Sequence, residues 1–280
     1  MLRIVTDGAA DILPEWKTEY GIEMIPVNIL FGEKSYLQWV ELDNEGFYRM
    51  VEQTKRIPKT SQPSPHQFVE FYRKIAQKGD TILSIHVTAK LSGTYTSAVA
   101  AAEEVKDEFK VFPVDSACGS LGIGLMCREA RKMERAGKSM DEILKYLEGI
   151  KYNVRVILTL DTLEYARMSG RVKTLQAALA SVLNVKPIAV LRNGDLAMAE
   201  RVRTRKVSLE RVIEMAKEEF GDKPVYLAVV HARDLKSGQM LLDDAKQHFN
   251  HKETMISELS ISIAANLGPG TVGLILYPVE

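Results

Sequence analysis

The sequence predicts an N-terminal, doubly wound α/β domain with a mainly parallel sheet, followed by a C-terminal α+β domain with a mixed or antiparallel sheet. Three observations predict this fold class. Strand and helix patterns alternate as far as Leu147, the pattern changes near residues 149–153, and Asn193-Gly194 lies between two apolar runs, as in an antiparallel hairpin. The chain has 280 residues, 46% of them hydrophobic, which suffices for domains 1–152 and 153–280.

The elements of the first domain follow from hydrophobic periodicity and from turn and capping residues. For example, Ser139 and Glu142 have the spacing of a capping box at a helix start. In chain order the prediction is a strand over 2–5, a helix over 13–20, a strand over 24–30, an excursion or hairpin over 31–40, a helix over 45–53, a stiff polar loop over 57–65, a helix over 66–78, a strand over 82–87, a helix over 95–105, a strand over 111–114, and helices over 119–135 and 139–147.

The second domain mixes antiparallel pairs with helices. In the helix over 173–183, residues 175–183 are apolar on nearly all sides, which is typical of a buried core helix. Their small side chains also leave room for a long apolar ligand. Residues 259–279 contain no Asp, Glu, Lys, Arg or His, but a turn at Gly268-Pro269-Gly270 favours two buried strands over a membrane span. The other predicted elements are a strand over 156–160, a hairpin within 187–202, a helix over 208–220, a strand over 225–231 and a helix over 235–249.

The composition excludes several functional classes. Lys plus Arg and Asp plus Glu both number 37, so no global field draws the chain to nucleic acid or to an anionic membrane. The first sixteen or so residues lack the pattern of a signal peptide, and we expect a cytoplasmic protein. Cys118 and Cys127 are expected to be free thiols. The five histidines have no metal-ligand spacing, and no metal or cofactor is predicted.

The turn Ser92-Gly93-Thr94 lies where an apolar strand leads into an alanine-rich helix. Hydroxyls and free backbone N–H groups at such a helix start can bind a small anion. The competing interpretation is that Ser92 or Thr94 caps the helix and does nothing else.

A second candidate is basic. If the strand continues through residues 200–206, its alternation places Arg201, Arg203 and Arg205 on one face. Such a face is either solvated or receives an anion or an acidic partner. Arg171, after Ser169-Gly170, can join them as a clamp for phosphate or carboxylate.

Six motifs occur in the order seen in the DegV family, and the chain resembles that family over almost its whole length. The motifs are Thr60-Ser61-Gln62-Pro63-Ser64, Leu91-Ser92-Gly93-Thr94-Tyr95, Val114-Asp115-Ser116, Ser169-Gly170-Arg171, Asn193-Gly194 with Arg201-Val202-Arg203-Thr204-Arg205, and Gly268-Pro269-Gly270-Thr271-Val272-Gly273. The resemblance implies a fatty-acid-binding protein that holds the lipid between its two domains. It is similar to the binding subunit of the bacterial fatty acid kinase, in which an ATP-binding partner converts the bound carboxylate to an acyl phosphate for phospholipid synthesis.

The same resemblance implies site residues. The hydroxyls of Thr60 and Ser92 hold the carboxylate, and Arg171 and Arg203 serve the phosphoryl group or the contact with the kinase. Many family members carry a histidine near the carboxylate where this chain has Asn266. Asn266 is therefore a further candidate for carboxylate binding, although its amide can donate a hydrogen bond but cannot become cationic. The remaining candidates for carboxylate binding are Ser61, Gly93 and Gly268.

Two other functions remain alternatives. The first is a regulatory or scaffold protein with a structural lipid and an arginine-rich interaction surface. The second is a stand-alone phosphotransferase or hydrolase, which is disfavoured because the chain has no GxxxxGK[ST] loop, no kinase signature and no convincing triad. We therefore predict that the chain is not an enzyme and that catalysis belongs to a separate kinase partner.

Overall fold

A computed structural model describes residues 1–172 and 185–279. The chain divides into two compact units, Met1–Tyr152 and Asn153–Glu280. The first unit contains a parallel sheet and the second a mixed sheet, so the predicted fold class is confirmed. The helix predicted over residues 173–183 lies outside the described residues.

The first unit follows the predicted alternation of strands and helices. Its elements are β1 (Leu2–Asp7), α1 (Pro14–Glu19), β2 (Ile22–Ile25), β3 (Asn28–Phe31), β4 (Lys34–Leu37), α2 (Asn44–Thr54), β5 (Lys59–Ser61), α3 (Pro65–Ile75), β6 (Thr81–His86), α4 (Thr94–Glu104), β7 (Lys110–Asp115), α5 (Leu121–Arg135) and α6 (Met140–Asn153).

The main sheet of the first unit has the strand order β2-β1-β6-β7, and each neighbouring pair is parallel. The carboxyl ends of β1, β6 and β7 therefore meet at one edge, where Asp7, His86 and Asp115 end their strands. Ligands of open α/β sheets gather at this edge. The helices α3 and α4 cover one face of the sheet, with a core of Val5, Ile82, Phe68, Val69, Tyr72, Ala98 and Ala101.

A small antiparallel sheet with the order β4-β3-β5 corrects two predictions. The strand expected over 24–30 is two strands in different sheets, because Pro26 has no N–H to donate to a continuous ladder. The polar loop over 57–65 contains a third strand, in which Thr60 pairs with Ile29. Its pairing partner is distant in sequence, so local composition could not reveal it.

Capping side chains set the starts of three helices in this unit. The Asp43 carboxylate accepts from the backbone N–H of Gly46 at the start of α2. Ser64 and Gln67 form a capping box at α3, and Ser139 and Glu142 form the predicted one at α6, with distances of 2.8 and 3.3 Å. Each cap satisfies amides that have no partner within the helix.

The second unit combines a six-stranded sheet with helices. Its described elements are β8 (Arg155–Thr159), α7 (Glu164–Ser169), β9 (Lys186–Arg192), β10 (Asp195–Val202), α8 (Arg205–Phe220), β11 (Val225–His231), α9 (Leu235–His248), β12 (His251–Glu258), α10 (Ile261–Leu267) and β13 (Val272–Pro278).

The strand order is β10-β9-β8-β13-β11-β12, in which β11 and β12 are parallel and the other pairs are antiparallel. The predicted hairpin joins β9 to β10. Its turn residues Asn193 and Gly194 both have positive φ values, 51° and 81°, as a type I′ turn requires. The core is formed by α8, α9 and one sheet face, through Val212, Ile213, Leu241, Leu227, Val229, Leu274 and Leu276.

Two predictions for the second unit are wrong. Residues 259–279 form the helix α10 and the strand β13 rather than two strands, since a short apolar run does not distinguish a buried helix from a buried strand. The arginine strand ends at Val202 because Thr204 caps α8, accepting the backbone N–H of Val207 at 3.2 Å. In the described ranges, no helix has the length and apolar character needed to cross a membrane.

Candidate functional site

The side chain of Gln62 joins the loop that follows β5 to the turn that precedes α4. Its Oε1 accepts the backbone N–H of Gly93 at 2.9 Å, and its Nε2 lies 3.5 Å from Ser97 Oγ. Thr60 is half-buried in β5, and Ser61 beside it is exposed. The candidate hydroxyls of the two motifs are therefore carried by segments that are hydrogen-bonded to each other.

The Ser92 hydroxyl is held by Thr94. The two hydroxyl oxygens are 2.8 Å apart, and Ser92 Oγ also accepts the backbone N–H of Thr94 at 3.3 Å. Thr94 is buried, whereas Ser92 is half-buried. If the buried Thr94 hydroxyl donates to Ser92, both lone pairs of Ser92 are used and its own proton is directed outward.

The turn before α4 differs from an ordinary side-chain cap. Gly93 occupies the N-cap position, and no side-chain capping bond is made there. A Cβ on Gly93 would lie 2.3–2.7 Å from the amide group of Gln62. Glycine is therefore the residue that allows the Gln62 side chain to approach this turn.

A chain of buried polar groups, which the sequence analysis did not predict, includes Asp7 and His86 at the carboxyl ends of β1 and β6. Tyr72 Oη is 2.8 Å from Ser84 Oγ, which is 2.6 Å from His86 Nε2. His86 Nδ1 is 3.0 Å from Asp7 Oδ2. All four side chains are fully buried, and burial raises the pKa of Tyr72 far above its usual range, so that its hydroxyl remains a donor.

Asp7 connects this chain to the backbone of the neighbouring loops. Its carboxylate accepts the N–H of Ala9 at 2.8 Å and that of Val87 at 3.0 Å. The residues after Val87 lead to Ser92, whose N–H donates to the carbonyl of Thr88. One feature of the sequence could have indicated this chain of polar groups: Asp7 and His86 are polar residues that end two apolar strands.

In the second unit, Asn266 and Arg171 are brought together. Asn266 Oδ1 accepts from Arg171 Nη1 at 3.1 Å, and Asn266 Nδ2 donates to the carbonyl of Ser262 at 2.6 Å. The backbone N–H of Arg171 donates to Ser169 Oγ at 3.2 Å. The amide is neutral, but it places a guanidinium beside the turn that follows α10.

Gly268 is needed for the backbone of that turn. Its φ of 88° lies in the region that favours glycine, and a Cβ there would lie 2.8 Å from the ring of Tyr165. The Thr271 hydroxyl donates to the Gly268 carbonyl at 2.9 Å. Burial raises the pKa of Tyr165, and the nearby Glu164 raises it further.

The three arginines predicted to share a strand face are in different environments. Arg201 is at the end of β10, where its Nε donates to Met198 Sδ. Arg203 is exposed in the bend between β10 and α8. Arg205 is the first residue of α8 and bonds to the Gly270 carbonyl and to Asp234. Arg205 therefore ties the helix start to the glycine turn instead of extending a basic strand.

Comparisons with known proteins agree on one family. The profile described as an uncharacterised protein of the DegV family matches residues 1–279. The protein DegV of Bacillus subtilis is 33% identical over 275 residues, which cover 98% of each chain. Its crystal structure, described as that of a fatty acid binding protein, gives a TM-score of 0.87 at 31% identity over 99% of each chain. A fatty-acid-binding DegV family protein from Thermus thermophilus gives a TM-score of 0.89 at 30% identity, again over 99% of each chain.

Proposed function

Because this chain belongs to the DegV family, we propose that it binds a long-chain fatty acid through the hydroxyls of Thr60 and Ser92. The observation that carries the proposal is the Gln62 side chain, which joins the Thr60 loop to the Gly93 turn. Solved relatives of similar fold and length are described as fatty-acid-binding proteins. In this proposal the lipid is the ligand, and no cofactor takes part.

The head-group and the tail contribute differently to binding. Burial of a methylene group is worth about 0.8 kcal/mol, so a long acyl chain contributes on the order of 10 kcal/mol before the costs of binding are subtracted. A hydroxyl that donates to a charged acceptor contributes about 1.5–3 kcal/mol. The tail therefore provides most of the affinity, and Thr60 and Ser92 select the carboxylate and fix its position. Within the first unit, the backbone of Ser61 and Gly93 shapes the site around it.

We further propose that the chain is a cytoplasmic, substrate-presenting subunit. An ATP-dependent kinase partner phosphorylates the bound carboxylate, and the acyl phosphate enters phospholipid synthesis. Arg203 is suited to contact with a partner because it is exposed in a bend. Arg171 is suited to an anionic phosphoryl group, since its guanidinium is held by Asn266. In this assignment Asn266 acts by orienting Arg171.

The first experiment is mass spectrometry of an organic extract from purified, denatured protein. We expect a fatty acid at about one molecule per chain. Ser92→Ala should weaken the retention of added fatty acid by about tenfold, because one charge-assisted hydrogen bond is lost. Ser35→Ala is the matched control, since Ser35 is exposed in β4 of the same unit. An empty extract together with no uptake of added fatty acid would reject the proposal.

Presentation to a kinase is tested separately, by following acyl phosphate formation with a bacterial fatty acid kinase and ATP. We expect Arg203→Ala to keep its lipid but to lose most of the turnover. Arg201→Ala is the comparison, because its side chain is already engaged by Met198. Equal losses of turnover in Arg203→Ala and Arg201→Ala would favour the alternative function, a regulatory or scaffold protein with an arginine-rich interaction surface. Loss of lipid from Arg203→Ala would show that this arginine belongs to the binding pocket.

A further inference from the structure

Gln62 is the polar side chain that links two motifs 31 residues apart. It belongs to the Thr60 motif, and its amide contacts Gly93 and Ser97 in the Ser92 motif. Thr60 is two residues from Gln62, and Ser92 directly precedes Gly93. Short stretches of backbone thus connect both candidate hydroxyls to the same hydrogen bonds.

The direction of the Gln62 amide is fixed by its partners. A backbone N–H can only donate, so the atom facing Gly93 must be the carbonyl oxygen of the side chain. The amino group then points towards Ser97, which is buried in the first turn of α4. The absent Cβ of Gly93 supplies the space for this contact. The sequence therefore provides a matched pair, an amide at position 62 and a glycine at position 93.

We propose that Gln62 is a positioning residue that sets the head-group selectivity of the site. It holds the Thr60 and Ser92 hydroxyls at the separation at which both donate to one carboxylate. This inference rests on the proposed function, namely that these hydroxyls bind a fatty acid. The consequence is discrimination between a fatty acid and a neutral lipid with the same tail, because two donors at a fixed spacing each meet a separate, charged oxygen of the carboxylate, whereas an alcohol offers a single neutral oxygen.

A purely structural role for Gln62 makes a different prediction. If the side chain only stabilised the fold, its removal would lower the binding affinity of all ligands with the same tail equally, or of none of them. If it positions the hydroxyls, its removal lowers the binding affinity of the carboxylate ligand and leaves that of the neutral ligand unchanged. The ratio of the two affinities therefore separates the roles, and thermal stability alone does not.

The experiment measures binding of palmitate and of 1-hexadecanol to the delipidated full chain. We expect Gln62→Ala to weaken palmitate binding by about tenfold and to leave hexadecanol binding unchanged. Gly93→Ala should reproduce this effect, because its Cβ displaces the Gln62 amide. Gln62→Glu keeps an acceptor for the Gly93 N–H but adds a negative charge. Palmitate binding should therefore weaken further, whereas hexadecanol binding should not.

The control is Gln67→Ala, which removes the side chain from the capping box of α3 in the same loop region. It should lower thermal stability without changing the ratio of palmitate to hexadecanol affinity. An unchanged ratio in both Gln62→Ala and Gly93→Ala would overturn the role of Gln62 while leaving fatty acid binding intact. Failure of the wild type to bind palmitate would instead reject the proposed function, and the role of Gln62 with it.

Discussion

Substitution of Asp7 by alanine tests whether the buried polar chain supports the first unit. The carboxylate accepts three hydrogen bonds, from Ala9 N–H at 2.8 Å, Val87 N–H at 3.0 Å and His86 Nδ1 at 3.0 Å. Asp7 and His86 are both fully buried. Alanine therefore leaves three donors without their acceptor, of which those of Val87 and His86 are buried and that of Ala9 is partly buried.

The magnitude follows from these three contacts. Each buried donor left unsatisfied costs about 1–3 kcal/mol, and partial relaxation keeps the sum near the lower end. We expect Asp7→Ala to lower the free energy of unfolding of the first unit by about 4 kcal/mol. With a slope of about 2 kcal/mol per molar urea, the unfolding midpoint falls by about 2 M. This is a large part of the stability of an ordinary domain.

Tryptophan fluorescence makes the assay specific to the first unit. The chain has two tryptophans, Trp16 and Trp39, and both belong to Met1–Tyr152. Urea unfolding followed by their fluorescence thus reports on the unit that contains Asp7. Asp107→Ala is the control, because Asp107 is exposed and should change stability by no more than about 0.5 kcal/mol. A loss below about 1 kcal/mol for Asp7→Ala would refute the reasoning.

Three further predictions concern the glycine turn, the arginines and pH. Gly268→Ala should cost about 2 kcal/mol in thermal unfolding, and Gly137→Ala about 1 kcal/mol, since both have positive φ but only the first meets a ring. Arg205→Ala should lower the melting temperature and Arg203→Ala should not, because only Arg205 is tied to the glycine turn. Hydrogen bonds from the Ser139 backbone, Lys138 and the Ser139 hydroxyl lower the pKa of Glu142 from 4.5 to about 2. Its stabilisation is present above pH 4.5 and lost towards about pH 2, so Glu142→Gln should be less stable than wild type near neutral pH and equal to it in acid.

Local signals predicted the parts of the fold that depend on neighbouring residues. The capping box at Ser139 and the hairpin turn at Asn193-Gly194 were predicted because their chemistry lies within a few residues. The main strands were predicted from apolar runs. In contrast, β5 depends on pairing with β3, and α10 depends on the core into which residues 261–267 pack. A single sequence contains little direct information on either.

The candidate site was predicted only in part, for a similar reason. The sequence identified the hydroxyl turns, but it did not identify which side chains hold them. In the sequence, Gln62 is one residue of a motif, and its contact with Gly93 depends on tertiary structure. The prediction for Arg205 was wrong because strand periodicity was extended past Val202, where Thr204 begins a helix.

The contact between Asn266 and Arg171 places a guanidinium, rather than an imidazole, beside the turn that follows α10. A histidine at position 266 would titrate between about pH 5 and 8, whereas an asparagine does not titrate. Here the amide oxygen accepts from the Arg171 guanidinium at 3.1 Å, and arginine remains protonated throughout that range. The cation at this turn is therefore permanent, and its direction is set by Asn266. A histidine at position 266 would add a pH-dependent charge beside Arg171, whereas Asn266 adds no charge and orients the guanidinium instead.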